Sequence, residues 1–185
     1  MDRNPVTRVT AGLDLSLTST GFCLKAGINI TVDTIKTKPK QHPNDLARLC
    51  HIRDEIMKRL PENVSMVCVE DVFTPTSSMR VRAAMNLTML AGVIRTTLWE
   101  AGIPFYVPTS SQLKKFATGK GVGQKSIIVR EVFKRWGVEV TDDNQADATV
   151  LAYMAQAIVD PSTAKHKYQQ DTLKKILKDR PRYNV

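Results

Sequence analysis

Residues 64–70, VSMVCVE, form a near-continuous apolar run that stops at an acid. A strand that is apolar on both alternating faces needs cover on both, which places this one at the centre of a layered α/β domain. The rest of the chain supplies the layers. RVTAGLDLSL reads as a buried strand ending near Asp14, and FCLKAGINITVDTI as two further strand-like runs joined around Lys25, Ala26 and Gly27. Together they predict a three-stranded meander. TKPKQHPN is a polar loop. Residues 45–60 carry Leu46, Leu49, Ile52, Ile56, Met57 and Leu60 at helical spacing, with Asn44 or Asp45 as cap and Pro61 beyond the end.

After the central run the pattern alternates again. Residues 78–101 are helical and close at Gly102, and IPFYV is the last strand. TSSQLKKFA reads as a short capped helix, TGKGVG as a glycine-rich loop and residues 124–136 as another helix. A final core helix follows TDDNQ. Three strands, helix, strand, helix, strand and then helices describe an α/β domain with a mixed sheet, and the RNase H-like topology fits that order. The domain is expected to occupy residues 1–160. Beyond it, 161–185 is a basic tail, either helical around 173–177 or ordered only on binding.

With 185 residues the chain can bury a core without staples, and its Cys23, Cys50 and Cys68 have no metal-ligand spacing. They read as buried thiols of a reducing compartment. No apolar run is long enough to span a bilayer and MDRNPVTRV has no signal-peptide core, so a soluble, intracellular, cytoplasmic or nucleoid-associated protein is expected. Lys+Arg number 27 against 18 Asp+Glu, a formal charge of +9, which suits a polyanionic partner such as nucleic acid.

Against that positive balance, the acids of TDDNQADATVLAYMA need an explanation. An N-cap accounts for one acid, and the helix dipole favours a second in the first turn. Asp147, inside the helix between Ala146 and Ala148, is poorly explained by either. Asp14 ends the first strand and Glu70 the fourth, so neighbouring strands would set their carboxylates side by side. Asp143 and Asp147, four apart on one helix face, would complete a four-carboxylate pocket. Oxygen-only ligands of this kind favour Mg²⁺ or Mn²⁺ over zinc, and a pair of such ions is the usual device for phosphodiester hydrolysis.

With the strand acid, strand acid and helix acids in that order, residues 9–157 resemble the RuvC-type Holliday junction resolvases. The pieces that carry the resemblance are GLDLSLTSTGF, VCVEDVF and QADATVLA, with TGKGVGQKSIIV similar to the family's glycine-containing loop and lysine. The resemblance implies a metal-dependent endonuclease that resolves four-way DNA junctions by paired symmetric nicks, acting as a homodimer. It implies two Mg²⁺ per site (Mn²⁺ substituting) held by Asp14, Glu70, Asp147 and Asp143, with Lys125 stabilising phosphate charge. In one departure, the family's second helix acid falls on Asn144. Asp143 is the preferred substitute, with Asn144 as the alternative ligand.

Phe73 stands where the family stacks an aromatic on opened junction bases, and Arg80, Arg82, Lys114, Lys115 and Lys120 are candidate phosphate contacts. Each has an ordinary structural reading as a core aromatic or a solvated charge. The long helix with MNLTMLAGVI is apolar nearly all round, which suits a core helix that also forms the dimer contact, with small Ala91 and Gly92 allowing close approach. GLDLSLTSTGF also looks like the phosphate loop of sugar kinase and actin-type ATPases. Those enclose a nucleotide between two such domains, which this chain is too short to supply, so no nucleotide cofactor is expected. Two further alternatives are a nuclease acting on other branched DNA and a non-catalytic junction-binding protein.

Overall fold

β1 (Val9–Asp14), β2 (Ser19–Ala26) and β3 (Asn29–Lys36) form the expected antiparallel meander, and β4 (Val64–Val69) runs parallel to β1. Adding β5 (Phe105–Tyr106) gives one five-stranded mixed sheet in the order β3-β2-β1-β4-β5. This computed structural model describes residues 8–72, 81–121 and 125–179.

The VSMVCV run is the inner parallel strand, between β1 and β5. Val67 and Val69 pack with α1 (Asp45–Arg59) and α2 (Val81–Glu100) on one face of the sheet. Met66 and Cys68 pack on the other face with α3 (Ser110–Thr118), α4 (Lys125–Trp136) and α5 (Asp143–Val159). The caps follow local chemistry. Asn44 accepts from the Ala47 amide at the start of α1, and Thr109 and Gln112 form a capping box on α3.

The last strand is shorter than IPFYV suggests, pairing only Val67 with Phe105 and Cys68 with Tyr106. Pro104 and Pro108 bracket it, and neither can donate to a ladder. Their carbonyls still accept, from Val67 N at 2.9 Å and Asp71 N at 2.8 Å. The order of the basic segment is also settled over its described residues. α6 (Lys167–Asp179) buries Leu173 and Ile176 in the same core cluster as Phe116 and Ala117 of α3. Cys23 and Cys68 are buried as expected, whereas Cys50 is half-buried on α1. Ala91 belongs to the chain's own core at 1% exposure, so of the small pair on α2 only Gly92 is open, with nothing within 4 Å of where its Cβ would stand. Among the described residues no helix is long and apolar enough to cross a membrane.

Candidate metal centre

Strand alternation decides where the two strand acids lie. Thr10 Oγ1 donates to the Ala152 carbonyl of α5 at 3.2 Å. A Cβ on Gly12 would stand 2.0 Å from the Ala148 carbonyl, so Thr10 and Gly12 face α5. Asp14 continues that period-two set, whereas Ala11 and Leu13 are buried toward α1 and α2. Just beyond β4, Glu70 continues the set of Met66 and Cys68, and its amide extends the pairing by donating to Leu13 O at 3.0 Å.

The first turn of α5 is fastened over these strand ends. Asp142 is the N-cap and accepts from the Gln145 amide, so capping accounts for that acid. Asn144 Nδ2 donates to Ser19 O on β2 at 2.8 Å, and Gln145 Nε2 donates to Thr34 Oγ1 on β3 at 2.9 Å. Gly21 lets the helix sit this low, because a Cβ there would stand 2.1 Å from the Asn144 carbonyl.

One turn further in, Asp147 meets the strand acids. Asp14, Glu70 and Asp147 each present a carboxylate oxygen within 4.8 Å of the other two, and all three side chains are half-buried. Three like charges this close repel strongly in a partly desolvated site, and a cation between them removes the penalty. The donors are all carboxylate oxygens, with no imidazole or thiolate, so the set fits a hard divalent cation. Asp143, four residues before Asp147 on the helix, is not one of the converging three. Asn144 commits its amide nitrogen to β2.

Asp14 and Glu70 open onto a cleft of about 260 Å³, lined also by Asp71, Leu87 and Ser110. Asp71, next to Glu70 in sequence, is paired with Arg95 of α2 at 3.1 Å. The turn after Asp14 is held by its own hydroxyls, with Thr20 Oγ1 donating to Ser16 O at 2.6 Å. Arg48 holds it from outside. This α1 side chain is 5% exposed and donates to the Leu17 and Thr37 carbonyls and to Thr37 Oγ1. Sequence reasoning missed Arg48, Arg95 and Ser110: an arginine within a helical pattern carries no signal of a remote partner, here loop carbonyls for Arg48 and the Asp71 carboxylate for Arg95, and Ser110 reads only as a first-turn residue of α3.

The other candidates are more dispersed. Lys125 is the first residue of α4, and its side chain lies outside the described set, as do Phe73 and Arg80 altogether. Arg82 is 91% exposed, 3.8 Å from Asp45. Lys114 is half-buried and Lys115 exposed on α3, and Lys120 is exposed just after the left-handed cap Gly119 (φ 82°).

Comparison with known proteins follows the same outline. A structure of Thermus thermophilus RuvC is similar at 24% identity with a TM-score of 0.63, covering 78% of this chain and 90% of that one. T. thermophilus RuvC in complex with a Holliday junction substrate is similar at 23% identity and TM-score 0.61, with the same coverage. At these identities the likeness shows the fold, which is RNase H-like as the element order suggests. No curated protein matches the chain. The family described as crossover junction endodeoxyribonuclease RuvC matches residues 11–160, the span that carries all three converging acids. The chain therefore belongs to the RuvC family of crossover junction endodeoxyribonucleases.

Proposed function

We propose that the chain resolves four-way DNA junctions as a homodimer, nicking two strands of like polarity symmetrically, with two Mg²⁺ ions at each active site and Mn²⁺ able to replace them. The observation that carries this reading is the convergence of Asp14, Glu70 and Asp147 within 4.8 Å. When bound, the ions would supply an activated water and stabilise the leaving oxygen. Asp14, Glu70 and Asp147 hold the cation charge at the mouth of the cleft, and their backbones are fixed by the β1–β4 pairing and the α5 contact.

Asp143 serves as the fourth carboxylate in this reading, because it lies four residues before Asp147 on the same helix face and brings a negative charge that the Asn144 carbonyl lacks. Lys125 stabilises charge on the scissile phosphate. Phe73 stacks on an opened base, a contact worth roughly 1–3 kcal/mol per base. Arg80, Arg82, Lys114, Lys115 and Lys120 contact phosphates, which makes affinity fall with salt.

An apolar strip on α2 supports the dimer. Val81, Met85, Met89 and Trp99 are exposed, and Gly92 stands among them at helical spacing. Those residues fall within one side of the helix, opposite buried Leu90, Ile94 and Leu98. Three free cysteines, two of them buried, agree with a reducing intracellular setting.

The test is nick mapping on a mobile four-way junction in Mg²⁺, with Asp143→Asn and Asn144→Ala alongside. Paired nicks at symmetric positions, abolished by Asp143→Asn and retained by Asn144→Ala, are expected. Loss with Asn144→Ala alone would give the fourth place to Asn144. Nicks on flaps or forks with equal efficiency would make the chain a general branched-DNA nuclease, and tight binding without nicks a binding protein.

A further inference from the structure

A second cleft, larger than the one at the carboxylates, opens between the end of α4, the latter half of α5 and the start of α6. Its volume is about 670 Å³, within the usual range of ligand pockets. Lys134, Trp136, Tyr153, Gln156, Lys165 and His166 are among its lining residues, and none of the lining residues is acidic.

We propose that this cleft is a second nucleic-acid subsite, which takes one unstacked nucleotide of a DNA strand together with its phosphate. Arg135, also on the wall, is paired with Glu131 at 2.9 Å and adds little net field. Lys134 and Lys165 are exposed and form no ion pair among the described residues, so the cleft is positive. The nearest acid in sequence, Asp160, feels Lys165 but accepts from Ser162 N and Oγ at 3.1 and 2.7 Å. Two free cations about one cleft suit a phosphate.

One wall is rigid and the other is suited to a base. Trp136 and Tyr153 stack with centroids 4.2 Å apart and planes 10° apart, with Lys25 5.0 Å over Tyr153 and Phe116 stacked at 6.4 Å from Trp136, so this wall is already closed by its own partners. On the other side Arg135 lies 5.5 Å over the Tyr168 ring, and Tyr168 stacks on His166 at 5.2 Å and 7°. His166 is the exposed end of that column and lines the cleft, so a planar base would extend the column by one more ring. Beside it, Arg135 Nε and the Tyr168 hydroxyl are buried without a hydrogen-bond partner, unusual for polar groups in a finished interior. Basic side chains combined with stacking surfaces are the features by which proteins hold single strands.

Gln156 is nine residues beyond Asp147 on α5, about 13 Å along the axis and two and a half turns on, so it points away from Asp147 and the cleft is separate from the one at the carboxylates. The proposal rests on the reading of the chain as a DNA enzyme. Its test contains no divalent metal and reads no cleavage, so failure to cut and failure to bind here are separate results.

The full chain carrying Trp99→Phe leaves Trp136 as the reporting tryptophan, since the sequence has two. In EDTA it is titrated with an octathymidylate and, separately, with thymidine monophosphate. The octathymidylate is expected to quench Trp136 emission saturably. Lys134→Ala/Lys165→Ala, at two exposed positions that leave the core intact, should weaken it at least ten-fold at low salt and reduce the log K–log salt slope by about 1.4. Absence of quenching, or identical affinity and slope in the double variant, overturns the proposal. Saturation by the mononucleotide at the same concentration overturns the strand reading and makes the ligand a free nucleotide.

Discussion

Replacing Gly12 by alanine should separate folding from catalysis, because one methyl group lies between the sheet and the helix that carries Asp147. The added Cβ would stand 2.0 Å from the Ala148 carbonyl, 2.4 Å from the Ala152 amide nitrogen and 2.8 Å from Leu151 Cβ. Two of these neighbours are backbone, so no rotamer change relieves the clash. Restoring an ordinary contact of about 3.4 Å requires α5 to retreat by roughly 1.4 Å. Overpacking of this kind costs about 1–3 kcal/mol, and the backbone contacts put this site at about 3. For a chain of this size that is a fall in Tm of about 6–12 °C. The catalytic loss is larger in proportion. Metal-binding side chains tolerate about 0.5 Å of displacement, and an error of about 1 Å costs on the order of 100-fold in rate. Gly12→Ala should therefore keep its circular dichroism spectrum, melt earlier and cut junctions at least 100-fold more slowly at saturating Mg²⁺. A variant with unchanged melting and full activity would refute the claim that β1–α5 contact sets the carboxylate spacing.

Mg²⁺ at about 100 times its Kd should stabilise the protein by about 2.7 kcal/mol, raising Tm by roughly 5–11 °C in a thermal melt; Asp147→Asn should erase that rise. Met85→Lys/Met89→Lys on the exposed strip of α2 should shift sedimentation from dimer to monomer without lowering Tm by more than a few degrees, and an unchanged sedimentation coefficient would remove α2 from the interface. Native thiol labelling at pH 8 should modify Cys50 alone, leaving Cys23 and Cys68 until the chain unfolds, because burial pushes both thiols up, Cys23 to about 12. Since the unfolded Cys23 thiol ionises near 9.0 and the folded one near 12, its contribution is complete below pH 9. It should then decline as pH rises toward 12, by about 1.4 kcal/mol per pH unit, read from urea melts.

The sequence reveals most where local chemistry and burial act together. VSMVCVE announces a strand covered on both sides, and it is flanked by β1 and β5 with helices on each face. Asn44 and Thr109 cap as their types predict. Asp14, Glu70 and Asp147 are legible because each acid ends or interrupts an apolar element where a charge is costly. What stays hidden depends on contacts remote in sequence. Asp142, Asp143 and Asn144 look alike as first-turn residues, and only the Ser19 carbonyl lying 125 residues away separates Asn144 from its neighbours. Arg48 looks like a solvated helix charge until Leu17 and Thr37 are brought against it. The aromatic and basic cleft joins α4, α5 and α6, and no spacing within any one of them signals it.

The most direct test of the account is the rate at which the wild-type chain and Asp147→Asn cut a synthetic four-way junction in Mg²⁺, with linear duplex as the control. Junction-selective cutting by the wild type is expected, with a loss of at least 100-fold in Asp147→Asn, whose fold is unchanged. Cutting that survives in Asp147→Asn, or that proceeds as fast in EDTA, would contradict a metal centre built on Asp14, Glu70 and Asp147.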